Sequence, residues 1–223
     1  MTAADTPPVA DDVLAALRAI ATPTLANALD VVGAGGIMAP EIQGVGPGLK
    51  CVGRAITVAE TTGPYGSFPE SDFRVGDFLD IAGPGDVIVV ANGGAPVSTW
   101  GGMASYAATV RGIEGLIVDG GVRDREEILE FGFPVFSRHV VPTPGKRRLK
   151  VEAIGEPIIC AGVRVAPGDV IVADGSGVVV LPAEKAAEIA ALAAGYAADD
   201  ARAIEDLKNG LSFRDALKKF AKI

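Results

Sequence analysis

Two short stretches of the sequence combine glycines, an arginine and carboxylates. The first is Gly101-Gly102-Met103-Ala104, and the second is Arg123-Asp124-Arg125-Glu126-Glu127. Twenty residues separate Gly102 from Arg123, which is room for one helix and one strand, so the stretches are expected to meet. Together they offer backbone N–H donors for an anion, a fixed cation and carboxylates for a metal. These are the parts that stabilise an enolate.

The acidic part of the second stretch has two interpretations. Asp124 and Glu127 are three residues apart, so on a helix they share a face and can hold a hard cation such as Mg²⁺ or Mn²⁺. The same spacing at a helix start is close to a capping box, in which Asp124 caps the helix and Glu127 reaches back. Spacing alone favours the cap. Arg123 can hydrogen-bond a developing enolate oxygen, although a lone arginine is more often structural.

The two glycines also have two interpretations. In a helix each glycine costs roughly 0.5–1 kcal/mol relative to alanine, yet the pattern starts a helix at Ser98, with Ser98 or Thr99 as its cap. One interpretation is a tight crossing of a helix and a strand. The other is a bare first turn, Gly101–Ala104, whose N–H groups bind a substrate carboxylate with help from the helix dipole.

Other reactive residue types give weaker signals. His139 follows an apolar strand and has no second ligand in the sequence, so a structural role is preferred. No lysine has the surroundings of a desolvated nucleophile, and Lys50, which apolar residues flank, is the weakest of these exclusions. Cys51 and Cys160 lack metal-type spacing and are expected to be buried free thiols in a reducing compartment.

Composition and charge narrow the class of protein. The 223 residues are 49% hydrophobic and 22% charged, which is typical of one globular domain. A net charge of −8 would repel a nucleic-acid backbone. Neither a signal peptide nor a membrane-spanning run is recognisable, so a cytoplasmic location without membrane or nucleic-acid partners is expected.

The elements that position the candidate residues follow from the hydrophobic pattern. Helical spacing covers residues 11–20, and a second helix is expected from a Thr22-Pro23 cap to Gly33. The glycine-rich segment 44–53 is predicted as a loop before a strand, not a nucleotide-binding turn. The middle of the chain alternates apolar runs with helices, which is typical of parallel strands whose carboxyl ends carry active sites. Expected there are helices at about 71–80, 98–111 and 123–131 and strands at 87–91, 115–119 and 134–136.

The last third of the chain changes character. Short strands and turns follow residue 149, and helices are expected at 183–209 and 211–222. The whole chain, 1–223, is predicted as a single α/β domain. Its N-terminal helical segment, 1–21, and C-terminal helices, 183–223, pack on the domain or on a neighbouring subunit, and the alanine-rich helix suits either.

At these residues the chain resembles the RraA-like family, which includes 4-hydroxy-4-methyl-2-oxoglutarate aldolases and regulators of ribonuclease E activity. The likeness runs from about Thr22 to Leu181. Its motifs are Gly-Arg-Ala-Ile-Thr-Val at 53–58, Gly-Asp-Val-Ile-Val-Val at 85–90, Trp-Gly-Gly at 100–102, Val-Asp-Gly-Gly-Val-Arg-Asp at 118–124 and Gly-Phe-Pro-Val-Phe at 132–136.

The resemblance implies a compact α/β fold with a β/β/α swivelling-type core, usually assembled as a homotrimer or hexamer. It implies a divalent-metal-dependent (class II) pyruvate aldolase that cleaves 4-hydroxy-4-methyl-2-oxoglutarate-type 2-oxo acids and decarboxylates oxaloacetate through a metal-stabilised pyruvate enolate. Asp124 would lie at the metal, Arg123 on the substrate carbonyl oxygen and the backbone of Gly101–Ala104 on the substrate. A neighbouring subunit could add an acid, for which Asp199 and Asp200 are weak candidates.

One departure from the family pattern keeps alternatives open. One branch of the family has aspartate at the position of Gly102, whereas this chain matches the branch with glycine there and a second acid at Glu127. That difference argues against efficient turnover of the first branch's tricarboxylic substrate. The alternatives are a non-catalytic regulator that binds a ribonuclease, although such members tend to lack the complete acidic motif, and a related lyase for another 2-oxo acid.

Overall fold

A computed structural model describes residues 8–220 of the chain. The expectations for the first seven residues and for 221–223 lie outside the described residues. The helices are α1 (Asp11–Arg18), α2 (Thr22–Val32), α3 (Val75–Ile81), α4 (Gly102–Val110), α5 (Arg125–Glu130), α6 (Ala186–Lys208) and α7 (Phe213–Lys219). The strands are β1 (Gln43–Gly44), β2 (Cys51–Thr62), β3 (Asp86–Ala91), β4 (Ser98–Trp100), β5 (Gly115–Val122), β6 (Val135–Val140), β7 (Leu149–Ile154), β8 (Ile158–Cys160), β9 (Val163–Val165), β10 (Val170–Asp174) and β11 (Gly177–Leu181).

One mixed sheet of nine strands organises the fold. Its main path runs β1-β6-β5-β3-β2-β10-β11, with β4 paired to β5 and β7 paired to β2. The central strands β2, β3, β5 and β6 are mutually parallel, which confirms the prediction made for β3, β5 and β6. The flanking strands β1, β7, β10 and β11 are antiparallel. The chain is therefore an α/β domain with a parallel centre, as expected.

The sheet is covered on both faces, and the burial pattern shows it. All eight residues of β5 are buried, which is typical of a central parallel strand and explains its continuous apolar run. Beside α3, α4 and α5, the Trp100 ring stacks between Phe78 and Phe133 at centroid distances of 6.2 and 6.0 Å. The Trp100 Nε1–H donates to Ser105 Oγ at 2.8 Å. These contacts fix the start of α4 to the sheet.

The terminal helices form a second layer on β2, β10 and β11. Leu17 of α1, Leu29 of α2 and Ile189 of α6 are fully buried in one apolar cluster with Val172 of β10. The small face of α6 therefore packs within the chain along its first half. No helix within residues 8–220 is both long enough and apolar enough to span a bilayer.

The cap predicted for α2 is wrong by one residue. Ala21 takes the cap position, and Thr22 is the first helical residue. The Thr22 backbone N and Oγ1 instead donate to the Asp174 carboxylate at 2.8 and 2.6 Å, which ties α2 to the end of β10. Burial alone would raise the pKa of Asp174, but the hydrogen bonds from Thr22 and Ser176 outweigh it and lower that pKa.

This contact makes stability depend on pH. Because the folded state lowers the pKa of Asp174, its stabilisation is complete above the unfolded-state value of about 3.9 and is lost as pH falls through the folded value. We expect Asp174→Asn to unfold more easily at pH 7 and to lose less further stability on acidification than the unmodified protein. Urea unfolding at pH 7 and at successively lower pH measures both. An unchanged difference between the two proteins across that range would contradict this expectation.

Two element boundaries around the candidate residues were also predicted wrongly. Residues 98–100 form β4, and α4 begins at Gly102 with Gly101 at its cap position and no side-chain cap. The two side chains proposed as caps are engaged elsewhere: Ser98 Oγ donates to the Trp100 carbonyl, and Thr99 Oγ1 donates to Glu60. The strand β5 was expected to end at residue 119 but continues through Gly120 and Gly121 to Val122, so the turn falls at Arg123 and Asp124.

Candidate active site

Arg123 and Asp124 form the tight connection between β5 and α5. Asp124 adopts a left-handed backbone conformation with φ 58° and ψ 44°. Aspartate is one of the few residues that tolerate this region, and such conformations cluster at sites where the surroundings hold them. The Asp124 side chain makes no capping hydrogen bond to α5, which begins at Arg125. The capping-box interpretation of Asp124 and Glu127 is therefore wrong.

The freed Asp124 carboxylate turns toward the start of α4. Its Oδ2 accepts a hydrogen bond from the Gly102 N–H at 3.3 Å and lies 3.3 Å from Arg123 Nε. A Cβ at Gly101 would lie 2.4 Å from the same Oδ2 atom and 3.2 Å from Arg123 Cγ. Glycine at position 101 is thus required by the approach of these two side chains. The structure brings the two predicted stretches together as the spacing suggested.

Gly102 is required by a different side chain. A Cβ at Gly102 would lie 1.8 Å from Glu127 Oε2 and 2.7 Å from Glu127 Cβ. The second contact involves an atom at the root of the side chain, so Glu127 cannot simply rotate away. Glu127 therefore occupies the space that a side chain at position 102 would need. Both carboxylates of the predicted metal pair, Asp124 and Glu127, converge on the backbone of Gly102.

The donor set at Gly102 suits a hard cation that keeps several water or substrate ligands. Mg²⁺ is typically held by one or two carboxylates, with the rest of its coordination supplied by water and substrate oxygens. Within residues 8–220 there is no group of three or more His, Cys, Asp or Glu side chains that could hold a metal. Asp124 and Glu127 are two carboxylates beside an open cavity, a donor set that fits Mg²⁺ or Mn²⁺.

A cavity of about 550 Å³ opens beside these residues. Gly101, Arg123 and Asp124 lie together at its polar end, and the exposed Lys146 also lines the cavity. Its remaining wall is mostly apolar and is contributed by α3 with the preceding Phe73, by α4, by β4 and by the loop that contains Pro144 and Gly145. The members of that wall are Phe73, Val75, Gly76, Leu79, Ser98, Thr99, Trp100, Met103, Ala104, Ala107, Pro144 and Gly145. A small organic acid can thus place its charged head at the arginine and its carbon chain against this wall.

Most predicted site residues meet at this cavity. Gly101, Met103, Ala104, Arg123 and Asp124 line it, whereas Gly102 and Glu127 lie against each other at its edge. The side chain of Met103 is 80% exposed. Sequence reasoning missed the contributions of α3 and of the 144–146 loop, because no local motif marks a residue that only supplies an apolar wall.

Several residues that the sequence made weak candidates for catalysis make structural contacts. His139 lies within β6, and its Nε2 is 3.0 Å from the Gly94 carbonyl oxygen. Lys50 Nζ donates to the Ile20 carbonyl at 2.9 Å. Cys51 and Cys160 are free and buried, as predicted, and burial raises the pKa of each thiol to about 12. Asp199 forms an ion pair with Arg202 in its own helix.

Comparison with known proteins places these features in context. The profile of the RraA-like family, described as Aldolase/RraA, matches residues 22–180. An uncharacterized protein of Methanocaldococcus jannaschii is 35% identical over 171 residues, covering 74% of this chain and 76% of that protein. A Thermus thermophilus protein named 4-hydroxy-4-methyl-2-oxoglutarate aldolase is 32% identical over 114 residues, covering 51% of this chain and 69% of that protein.

A solved structure shows the same architecture. Streptomyces coelicolor RraAS2, described as an unusual member of the RNase ES inhibitor RraA protein family, aligns with a TM-score of 0.75 and 25% sequence identity. The alignment covers 92% of this chain and all (100%) of that chain. The similarity therefore extends beyond the residues that the family profile matches and includes most of the terminal helices.

Proposed function

This chain belongs to the RraA-like family, and from that premise we propose that it is a divalent-metal-dependent carbon–carbon lyase. Its reactions would be aldol cleavage of 4-hydroxy-4-methyl-2-oxoglutarate-type 2-oxo acids and decarboxylation of oxaloacetate, each through a pyruvate enolate. The observation that carries the proposal is the convergence of Arg123, Asp124 and the first turn of α4 at one end of an apolar cavity.

Each group at the polar end has a task in that chemistry. The Gly102 N–H donates to Asp124, and the N–H groups that follow it in the first turn of α4 can bind the substrate carboxylate. The Arg123 guanidinium, half exposed at the cavity, can donate to the C2 oxygen as negative charge develops on it. Asp124 and Glu127 would hold the cation, and Asp124 also orients Arg123 through their contact at 3.3 Å. When bound, Mg²⁺ or Mn²⁺ would supply Lewis acidity to the keto acid.

Removal of the metal is the direct test. We expect protein treated with EDTA to release pyruvate from oxaloacetate at the uncatalysed rate, and added Mg²⁺ or Mn²⁺ to restore turnover, because the arginine alone leaves most of the enolate charge uncompensated. Pyruvate is measured with and without the cation on oxaloacetate, 4-hydroxy-4-methyl-2-oxoglutarate and a panel of other 2-oxo acids. Full turnover in EDTA would contradict the metal-dependent mechanism. Turnover of a different acid in the panel would support the related lyase.

A ribonuclease regulator is the second candidate, and the likeness to RraAS2 is the observation that favours it. The retained Arg123, Asp124 and Glu127 favour the lyase. The variant Arg123→Ala separates them, since it should abolish pyruvate release by an enzyme while a regulator's binding surface would tolerate it. Ribonuclease inhibition by the unmodified protein, together with no turnover of any 2-oxo acid, would establish the regulator instead.

We further propose that the protein assembles as a homotrimer or hexamer. The helix α4 presents three apolar side chains to solvent beside the cavity: Met103, Tyr106 and Val110 are 80%, 52% and 71% exposed. A stripe of this kind on a helix that lines a candidate site is typical of a subunit contact. Light scattering during size-exclusion chromatography measures the assembly. A monomeric mass would rule the proposal out.

A further inference from the structure

A polar cluster is buried between the ends of β2 and β3 and the short strand β4. Glu60 lies near the end of β2, Asn92 directly follows β3, and Thr99 projects from β4; they are 8%, 4% and 1% exposed. Thr99 Oγ1 donates to Glu60 Oε1 at 2.5 Å. Thr99 also belongs to the wall of the cavity that Arg123 and Asp124 line. The cluster is thus joined to the candidate active site through one hydroxyl residue.

The cluster leaves hydrogen-bonding capacity unused. Glu60 Oε2 and both side-chain polar atoms of Asn92 are buried without a hydrogen-bond partner among the described residues. An unpartnered buried polar group costs about 1–3 kcal/mol, so folded proteins keep few of them without a functional reason. The Asn92 side chain lies against Gly120, where a Cβ would lie only 2.0 Å from Asn92 Oδ1. The backbone leaves room for this amide beside the carboxyl group.

The surroundings of Glu60 favour proton exchange near neutral pH. Burial raises the pKa of Glu60 to about 7, and the hydrogen bond from Thr99 and the nearby Asn92 amide lower that pKa only in part. No charged group among the described residues contributes to that shift. On β7, which pairs with this part of β2, Lys150 and Glu152 form an ion pair with each other at 2.8 Å. The charged residues across Thr99 are those of the cavity already named, Arg123, Asp124 and Lys146.

We propose that Glu60 is the proton store of the active site and that it exchanges protons with the substrate through the hydroxyl of Thr99. This inference rests on the proposed lyase function, whose chemistry needs a proton donor to complete pyruvate. A hydroxyl can accept one hydrogen bond while donating another. When Glu60 is protonated, the hydrogen bond between the two side chains reverses, and Thr99 becomes free to donate into the cavity.

The proton balance closes for both reactions. In aldol cleavage, Thr99 Oγ accepts the proton of the C4 hydroxyl and passes its own proton to the Glu60 carboxylate. The C3–C4 bond breaks, its electron pair forms the enolate, and C4 leaves as a carbonyl. Glu60 then returns the proton through Thr99 to C3, which gives the methyl group of pyruvate. In decarboxylation CO₂ leaves and the C3–C4 electron pair forms the same enolate. Only the transfer of a proton from Glu60 through Thr99 to C3 is then needed. Solvent water afterwards reprotonates Glu60.

Exchange of the pyruvate methyl protons with D₂O tests this transfer without cleavage chemistry. With Mg²⁺ present, the unmodified protein should incorporate deuterium at C3 of pyruvate. The loss of the methyl signal in proton NMR measures the rate. We expect Glu60→Gln and Thr99→Val to lower the exchange rate about 100-fold, the usual size of a general acid–base contribution. Thr99→Ser keeps the hydroxyl and should restore exchange. The rate for the unmodified protein should change with pH around 7, and Glu60→Gln should remove that dependence.

Two variants and a binding measurement control for structural damage. Asp86→Asn removes another carboxyl whose pKa burial raises, at the opposite end of β3, and Thr57→Val removes a buried hydroxyl from β2. Both should exchange at the unmodified rate. Oxalate, a mimic of the enolate, should bind Glu60→Gln and Thr99→Val as tightly as the unmodified protein, measured calorimetrically with Mg²⁺.

The outcomes separate the two proposals. If the unmodified protein neither exchanges pyruvate protons nor binds oxalate, the lyase function itself fails. If it does both and Glu60→Gln exchanges equally fast, the proton-store role is wrong. If Glu60→Gln loses both oxalate binding and proton exchange, Glu60 is a structural residue, and the proposal is equally overturned.

Discussion

Replacing Asp124 with asparagine should reduce pyruvate release by about 10²–10³-fold, the cost of removing one preorganised electrostatic group from a transition state. The change removes the charge that would bind the cation and leaves the side-chain shape intact. Asparagine tolerates the left-handed conformation with φ 58° as readily as aspartate does. The free energy of unfolding should therefore change by less than about 1 kcal/mol. Steady-state assays and urea unfolding measure the two quantities on one preparation.

The matched control is Glu126→Gln, which removes a neighbouring exposed carboxylate from the first turn of α5. It should keep full turnover, because Glu126 lines no part of the cavity. Half-maximal activation of Asp124→Asn should also require more Mg²⁺. If Asp124→Asn kept full turnover at limiting Mg²⁺, then Asp124 would be neither a metal ligand nor a support for Arg123.

The layout of the fold could be read from periodicity. The apolar runs of β3 and β5 and the helices between them predicted parallel strands, and both strands pair in that way. Helix α1 fell within its predicted range, and the short strands β7 to β11 follow residue 148, where a change to short strands and turns was predicted. These elements are fixed by local pattern, since a run buried on both faces has no other stable place in a small domain.

Boundaries at the site were harder to predict because tertiary contacts decide them. Ser98 and Thr99 have the chemistry of helix caps, but Ser98 bonds to the backbone within β4 and Thr99 bonds to Glu60, 39 residues earlier. Local propensity cannot include a partner at that distance in sequence. The same holds for Asp124, whose spacing to Glu127 suggested a capping box although the left-handed turn directs its carboxylate to Gly102.

The errors in the helix and strand boundaries did not affect the predicted chemistry, because that prediction depended on residue types. An arginine and two carboxylates after one strand meet a glycine-rich helix start whether the helix begins at residue 98 or at Gly102. The polar cluster of Glu60 and Asn92 could not be anticipated in this way. Glu60 near the end of β2 and Asn92 just after β3 are ordinary polar residues in the sequence, and only the sheet register brings them together beside Thr99.

The contact between Gly102 and Glu127 predicts that an acid can be moved from one position to the other. Gly102→Asp alone should be strongly impaired, because its Cβ would lie 1.8 Å from Glu127 Oε2 and its carboxylate would face a like charge. Overpacking of this kind costs about 1–3 kcal/mol. Adding Glu127→Gly removes every clashing atom of that side chain and leaves the number of carboxylates at the site unchanged. The double variant should recover metal-dependent turnover that Gly102→Asp loses.

A double-mutant cycle measures the coupling between the substitutions at positions 102 and 127. Coupling between side chains in direct contact reaches about 0.5–3 kcal/mol, or up to about 150-fold in rate, so the double variant should far exceed the product of the two single effects. Gly102→Ala with Glu127→Gly is the matched control, since it relieves the same clash without restoring an acid. Recovery of folding in both double variants, with turnover only in the one that carries aspartate, would show that the second carboxylate acts in the chemistry. Equal turnover in both would assign Glu127 to packing and leave Asp124 as the sole anionic ligand.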